Sequence, residues 1–86
     1  MTDQEIIDLI NSSLAKEFEL DLKDLTPETK LFDDLNLDSL DIVDLVIVLE
    51  TAFNFKIREE DAIRKIRTLA DVHSFVISKK HEVENP

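Results

Sequence analysis

Ile6, Ile10, Leu14 and Phe18 stand four residues apart, and nowhere in this chain of 86 residues does an apolar-polar alternation hold for more than a few positions. A spacing of three to four fits one stripe of an α-helix, whereas a half-buried strand needs a period of two. A sheet is therefore not expected. Ile7 joins the first stripe and Asp3, Glu5, Asp8, Asn11 and Lys16 are left for solvent, so the spacing predicts a helix over 3–18. Thr2 or Asp3 can cap it, with Glu5 complementing its positive start. A second helix is predicted from Ser39 to about Thr51 or Phe53, with Asp38 at the N-cap and Asp41 completing a variant of the capping box. Residues 54–58 read as a linker and 59–65 as a short third helix begun by acids. Thr68 caps a last helix over 69–79 that turns Leu69, Val72, Phe75 and Val76 inward, with Lys79 and Lys80 suiting its negative end.

Residues 19–37 show no sustained period and contain Thr26-Pro27. Leu20, Leu22, Leu25, Leu31, Phe32, Leu35 and Leu37 are spaced along them as single anchors, so a long loop pinned to a core is expected. A connection of that length without regular structure of its own is uncommon in a compact domain and often functional. The expected fold is all-α: a small four-helix bundle, three longer helices and one short, with a long first loop. At this length it is one domain, 1–86, ordered over about 3–79 with a frayed tail over 80–86. The chain has no cysteine, so burial must hold it together without disulfides or thiolate-bound metal. It also has no glycine, which removes glycine-rich phosphate loops, dinucleotide fingerprints and the G-x-S-x-G nucleophile elbow together.

Twenty acids against ten bases give a net charge of −10, and the excess sits in the first two thirds. Residues 1–55 hold fourteen acids and three bases, whereas 56–86 hold six and seven. Such a field repels nucleic acid and anionic membranes and steers basic protein surfaces toward the acidic region. The N-terminal residues MTDQEIIDLI lack a basic leader region, and no apolar run approaches a membrane span. A cytoplasmic monomer is expected.

Placed at 100° intervals, Ile42, Leu45, Val46, Leu49 and Phe53 fall within one arc of roughly 100° on the second helix, which marks its core face. Leu40, Asp44, Ile47 and, at the margin, Val43 lie opposite, with Asp41 and Val48 on one flank and Glu50 on the other. Apolar groups interleaved with acids on an outward face suit a partner protein that supplies a groove and basic residues. Ser39 opens this helix and admits several readings. A hydrolytic nucleophile would need a base and an oxyanion hole, yet the histidines, His73 and His81, lie far along the chain and the glycine elbow is missing. Asp34, Asn36 and Asp38 mimic positions 1, 3 and 5 of a calcium loop, but Ser39 stands where glycine is needed and Leu45 where glutamate is. An ordinary first-turn serine and a modified one remain. A phosphodiester on this hydroxyl would sit where free N–H groups and the helix dipole favour an anion.

The segment L-N-L-D-S-L-D, the acidic and apolar helix after it, the F-x-F-x-I-x-E-E-D continuation and the T-L-x-D-V-x-x-F-V ending occur in order over about residues 3–78. Together they resemble an acyl carrier protein of the phosphopantetheine-binding superfamily. The resemblance implies a non-catalytic carrier in which Ser39 accepts 4′-phosphopantetheine from coenzyme A, through a phosphopantetheinyl transferase and Mg²⁺, and holds acyl groups as thioesters for fatty-acid, polyketide or related enzymes. Asp38 matches the acid before the modified serine. Asp41, Asp44 and Glu50 match positions facing basic docking patches of synthases and transferases; Leu40, Val43 and Ile47 match the apolar part of that face, and Glu59 and Glu60 a secondary contact. Val46, Leu49, Ile57, Ile66 and Leu69 are the implied walls of an acyl pocket. A D-alanyl or aminoacyl carrier, or an unmodified acidic interaction module, are the alternatives.

Three departures stand out. Asn36 replaces the glycine usual two residues before the Asp-Ser pair, and asparagine tolerates positive φ better than most residues. Lys56 and Arg58 replace the usual acid and proline before the third helix. With Arg64, Lys65 and Arg67 they make 56–67 basic on one side, and D-A-I-R-K-I-R-T-L is one residue longer than the common pattern. These cations are either solvated and paired within the chain, or the mark of a dedicated pathway whose partners read this region.

Overall fold

The computed structural model describes residues 1–58 and 64–84. Among the described residues three helices carry the fold, α1 (Asp3–Glu17), α2 (Ser39–Phe53) and α3 (Leu69–Glu84), with a 3₁₀ turn at Leu22–Asp24. Among the described residues there is no strand, only an isolated antiparallel bridge between Lys30 and Thr68. The all-α architecture is thus the one the periodicity predicts. The short helix expected over 59–65 lies mostly outside the described residues; Arg64 and Lys65 are helical.

α1 starts where its sequence says it should. The Thr2 hydroxyl accepts from the Glu5 N–H at 3.2 Å and the Glu5 carboxylate accepts from the Thr2 N–H at 2.8 Å, closing a capping box. The Thr2 N–H, with the Thr2 hydroxyl beside it, holds the Glu5 carboxyl below its ordinary pKa. At the other end Leu20 N–H reaches Ala15 O at 2.9 Å, the Schellman closure, with Glu19 at φ 54°. Glycine is the usual residue there. A glycine-free chain places Glu19, Asn36 (φ 56°) and Asn54 (φ 54°) at its left-handed positions, two of them the residue type that bears that conformation best.

α1 packs against both α2 and α3, and its Ile6, Ile10 and Leu14 are fully buried. They meet Ile42, Leu45, Val46, Leu49 and Phe53 of α2, the five residues of the predicted inward arc, and Leu69, Val72 and Val76 of α3. Phe18 and Phe75, expected inside, are partly covered and pack on the rim. Phe53 and Phe55 stack at 5.7 Å between centroids, which carries the core past the end of α2.

The first loop is held in two ways. Leu25, Leu31 and Leu37 are buried, while Leu20, Phe32 and Leu35 are half-covered. Leu22 is not an anchor: it is 59% exposed, because the 3₁₀ turn turns it outward. The loop is also stitched to the start of α3 by its backbone. Leu31 N–H donates to Arg67 O, Leu69 N–H to Thr29 O and Ala70 N–H to Pro27 O, all at 2.9–3.0 Å. Buried Thr29 donates its hydroxyl proton to Asp24 O at 2.9 Å and accepts from Thr26 N–H at 3.0 Å. Polar groups of an irregular segment are thereby satisfied without a sheet.

α3 runs to Glu84, beyond the expected end at Lys79, so residues 80–84 are helical instead of frayed. His81 lies on that extension with Nε2 3.4 Å from Asp3 Oδ1, a contact between the two chain ends that no local pattern encodes. Thr68 caps the start of α3 as expected: its hydroxyl accepts from Asp71 N–H at 3.3 Å, and the Asp71 carboxylate accepts from the N–H groups of Thr68 and Arg67 at 3.0 Å. Those bonds lower the Asp71 pKa.

Candidate functional site

Ser39 is the first residue of α2 and is exposed. Its hydroxyl has no hydrogen-bond partner among the described residues. The capping box before it is complete. Asp38 Oδ1 accepts from Asp41 N–H at 3.0 Å, and Asp41 Oδ2 accepts from Asp38 N–H at 3.0 Å. Ile42 N–H goes to Asp38 O at 3.0 Å. The N–H groups of Ser39 and Leu40 are then the donors at the helix start with no intrahelical acceptor. An exposed primary hydroxyl thus stands beside two free donors at the positive end of a helix of 15 residues. Both neighbouring carboxylates are tied to backbone N–H groups, which blunts their repulsion of an anion.

The loop before Ser39 is shaped for this. Asn36 takes φ 56°, so asparagine replaces glycine without loss of the turn. Leu37 is buried, with its N–H on Leu31 O at 3.1 Å, and pins the chain directly upstream of the cap. Asp34 is used locally: its Oδ2 accepts from Lys30 N–H at 2.8 Å, closing its own turn. Among the described residues no group of three or more histidines and acids converges on a metal position.

The outward face of α2 divides. Leu40 is 77% exposed and Ile47 51%, and Asp44 lies exposed between them. Val43 and Asp41 are half-buried at the edge. Glu50 is placed differently from a solvent-facing acid: it is half-buried and its Oε2 accepts from Ile57 N–H at 2.8 Å. Seven residues separate the two, so helical spacing gave no sign of the bond. Glu59 and Glu60 lie outside the described residues. Val46, Leu49, Ile57, Ile66 and Leu69 are all buried in the core.

A further polar pair was missed by periodicity. His73, on the inward side of α3, is buried, and its Nε2 lies 2.8 Å from Asn11 Oδ1. Asn11 is half-buried, not solvated as its place on α1 suggests. Oδ1 can only accept, so Nε2 carries a proton and donates. Desolvation holds the ring pKa below its usual value.

The family model for a phosphopantetheine attachment site matches residues 8–76. An acyl carrier protein of Syntrophobacter fumaroxidans is 41% identical over 76 residues, covering 88% of this chain and 88% of its own. The chain belongs to the acyl carrier proteins. A second acyl carrier protein, from Thermotoga maritima, is 38% identical over 88% of this chain and 93% of its own. A third, from Helicobacter hepaticus, is 35% identical over 83% and 92%. An acyl carrier protein holds its phosphopantetheine covalently, and this is the cofactor of the present chain. Ser39 is the first-turn hydroxyl of α2, and its free donors, exposure and lack of a competing partner fit a phosphodiester at that position.

Proposed function

We propose that this acyl carrier protein is a non-catalytic, monomeric, cytoplasmic single domain whose attachment point is Ser39. The observation that carries this is the unpartnered Ser39 hydroxyl at the capped start of α2. In the loading reaction the Ser39 oxygen bonds to the phosphorus next to the pantetheine arm of coenzyme A. The P–O bond to the second phosphate breaks, and adenosine 3′,5′-bisphosphate leaves. The hydroxyl proton goes to a base on the transferase, since the described histidines are engaged elsewhere, His73 with Asn11 and His81 with Asp3. The N–H groups of Ser39 and Leu40, with the positive helix start, would favour the anionic phosphodiester by about 0.3 to 1 kcal/mol. When bound, the group supplies a terminal thiol on which acyl units ride as thioesters.

Leu40, Val43, Asp44 and Ile47, with Asp41 at the edge, form the face offered to the transferase and to acyl synthases and transferases with basic docking patches. Their exposure and the surplus of acids over 1–55 support this reading. Charge tunes encounter more than final affinity, which suits a carrier that must visit and leave several enzymes. Val46, Leu49, Ile57, Ile66 and Leu69 are the walls between which the acyl chain is sheathed; they are apolar and buried in the core cluster shared by α2 and α3. The pathway is fatty-acid, polyketide or a related acyl assembly.

Apo protein incubated with coenzyme A, Mg²⁺ and a broad-specificity transferase gains the mass of one phosphopantetheine, and Ser39→Ala gains none. No addition, or addition that survives Ser39→Ala, sinks the proposal. An amino acid instead of a fatty acyl load on the native protein would make it an aminoacyl carrier.

A further inference from the structure

At the C-terminal end of α2 the docking face gains a cation. Glu50 directs its carboxylate to Ile57 N–H at 2.8 Å, so this half-buried acid is held against the turn that follows the helix instead of projecting from the face. That turn is anchored on both sides of residue 56, since Phe55 and Ile57 are both buried. Lys56 between them is exposed and forms no ion pair among the described residues. A groove of about 270 Å³ is lined by Ile47, Glu50, Thr51, Asn54, Phe55 and Lys56. The exposed Ile47 that belongs to the docking face is therefore also one wall of a groove whose rim cation is Lys56. Asp38, Asp41 and Asp44 give the Ser39 end of the same face its negative charge.

We propose that Lys56 is a specificity-determining residue, and that the face it ends accepts a bipolar partner. The partner is an acyl-handling enzyme whose docking patch is basic opposite Asp41 and Asp44. Opposite Lys56 it places a carboxylate beside an apolar side chain that enters the Ile47 groove. A uniformly basic patch meets like charge at this end and is disfavoured. Arg58, also exposed two residues on, extends the same sign. This rests on the reading of α2 as the docking face.

The test uses the apo chain, coenzyme A, Mg²⁺ and a phosphopantetheinyl transferase with a uniformly basic docking patch. At low ionic strength Lys56→Glu lowers KM for the carrier about two- to tenfold with kcat unchanged, Lys56→Gln lowers it less, and the gain fades in high salt. Asp41→Asn with Asp44→Asn raises KM. Each basic residue of the transferase patch is then exchanged in turn for glutamate. One exchange lowers KM for the native chain and raises it for Lys56→Glu. If neither Lys56 variant changes KM while the aspartate variants do, or if no patch exchange shows the crossed effect, Lys56 does not read the partner and the proposal is overturned with the docking face intact. If the aspartate variants are also without effect, the docking face is elsewhere and both readings fall.

Discussion

Removing the Glu50 carboxylate tests whether this acid is a structural acceptor or a partner-facing charge. In Glu50→Ala the Ile57 N–H loses its acceptor at 2.8 Å in a turn where Ile57 itself is buried. A hydrogen bond to a charged group is worth about 1.5 to 3 kcal/mol. Glu50 is only half-buried and water reaches part of the site, so the lower end, about 1.5 kcal/mol, is expected. Stability of a domain this small is about 5 to 10 kcal/mol, so the loss is a substantial share of the whole. At about 4 to 8 °C per kcal/mol, the midpoint of thermal unfolding falls by roughly 6 to 12 °C. Glu50→Gln keeps an acceptor and loses only the charge assistance, so its midpoint lies between the two. The control is Asp44→Ala, an exposed acid on the same helix, expected within about 0.5 kcal/mol of the native chain. Thermal unfolding followed by circular dichroism at 222 nm, a helix-reporting wavelength, reads all three. A Glu50→Ala midpoint no lower than that of Asp44→Ala would show that the bond does not hold the turn.

The buried His73 makes stability pH-dependent. Its native pKa is depressed by desolvation below the ordinary 6.5, so the unfolded chain binds a proton first. The stability it contributes is complete above pH 6.5 and is lost as pH falls from there toward the depressed native value, with a slope of at most about 1.4 kcal/mol per pH unit. Urea unfolding of the native chain and His73→Gln at neutral pH and about one unit below 6.5 should show a shallower pH dependence in the variant; equal dependence would assign the effect to other groups. Glu19 sits at φ 54° in the Schellman closure of α1, where a side chain is strained and glycine is not. Glu19→Gly is expected to stabilise by about 0.5 to 1 kcal/mol, and Asn36→Gly by less, because asparagine already bears that conformation. Thermal midpoints order the two, and a Glu19→Gly midpoint at or below the native one would mean the turn carries no such strain.

Helix starts, the inward arc of α2 and the outward Leu40 and Ile47 were legible in the sequence, because caps and stripes join residues three or four apart. Asn36 was legible too, as a residue able to take the turn that glycine usually makes. The rest depends on which distant groups meet. Leu22 looks like an anchor until the 3₁₀ turn faces it outward. Asn11 and His73 look like surface and interior neighbours of nothing in particular until packing brings them within 2.8 Å. The last helix gains residues 80–84 on an extension where His81 meets Asp3. Glu50 stands on the flank of α2 nearer Ser39, where an outward acid is expected, and only the fold of 54–57 back against the helix makes it an internal acceptor. The chain alone therefore determines its helices, its core stripe and the serine at the head of α2. Which charge projects at the far end of the docking face is decided by tertiary structure, since the fold of 54–57 draws the Glu50 carboxylate onto Ile57 N–H and leaves Lys56 to face the solvent.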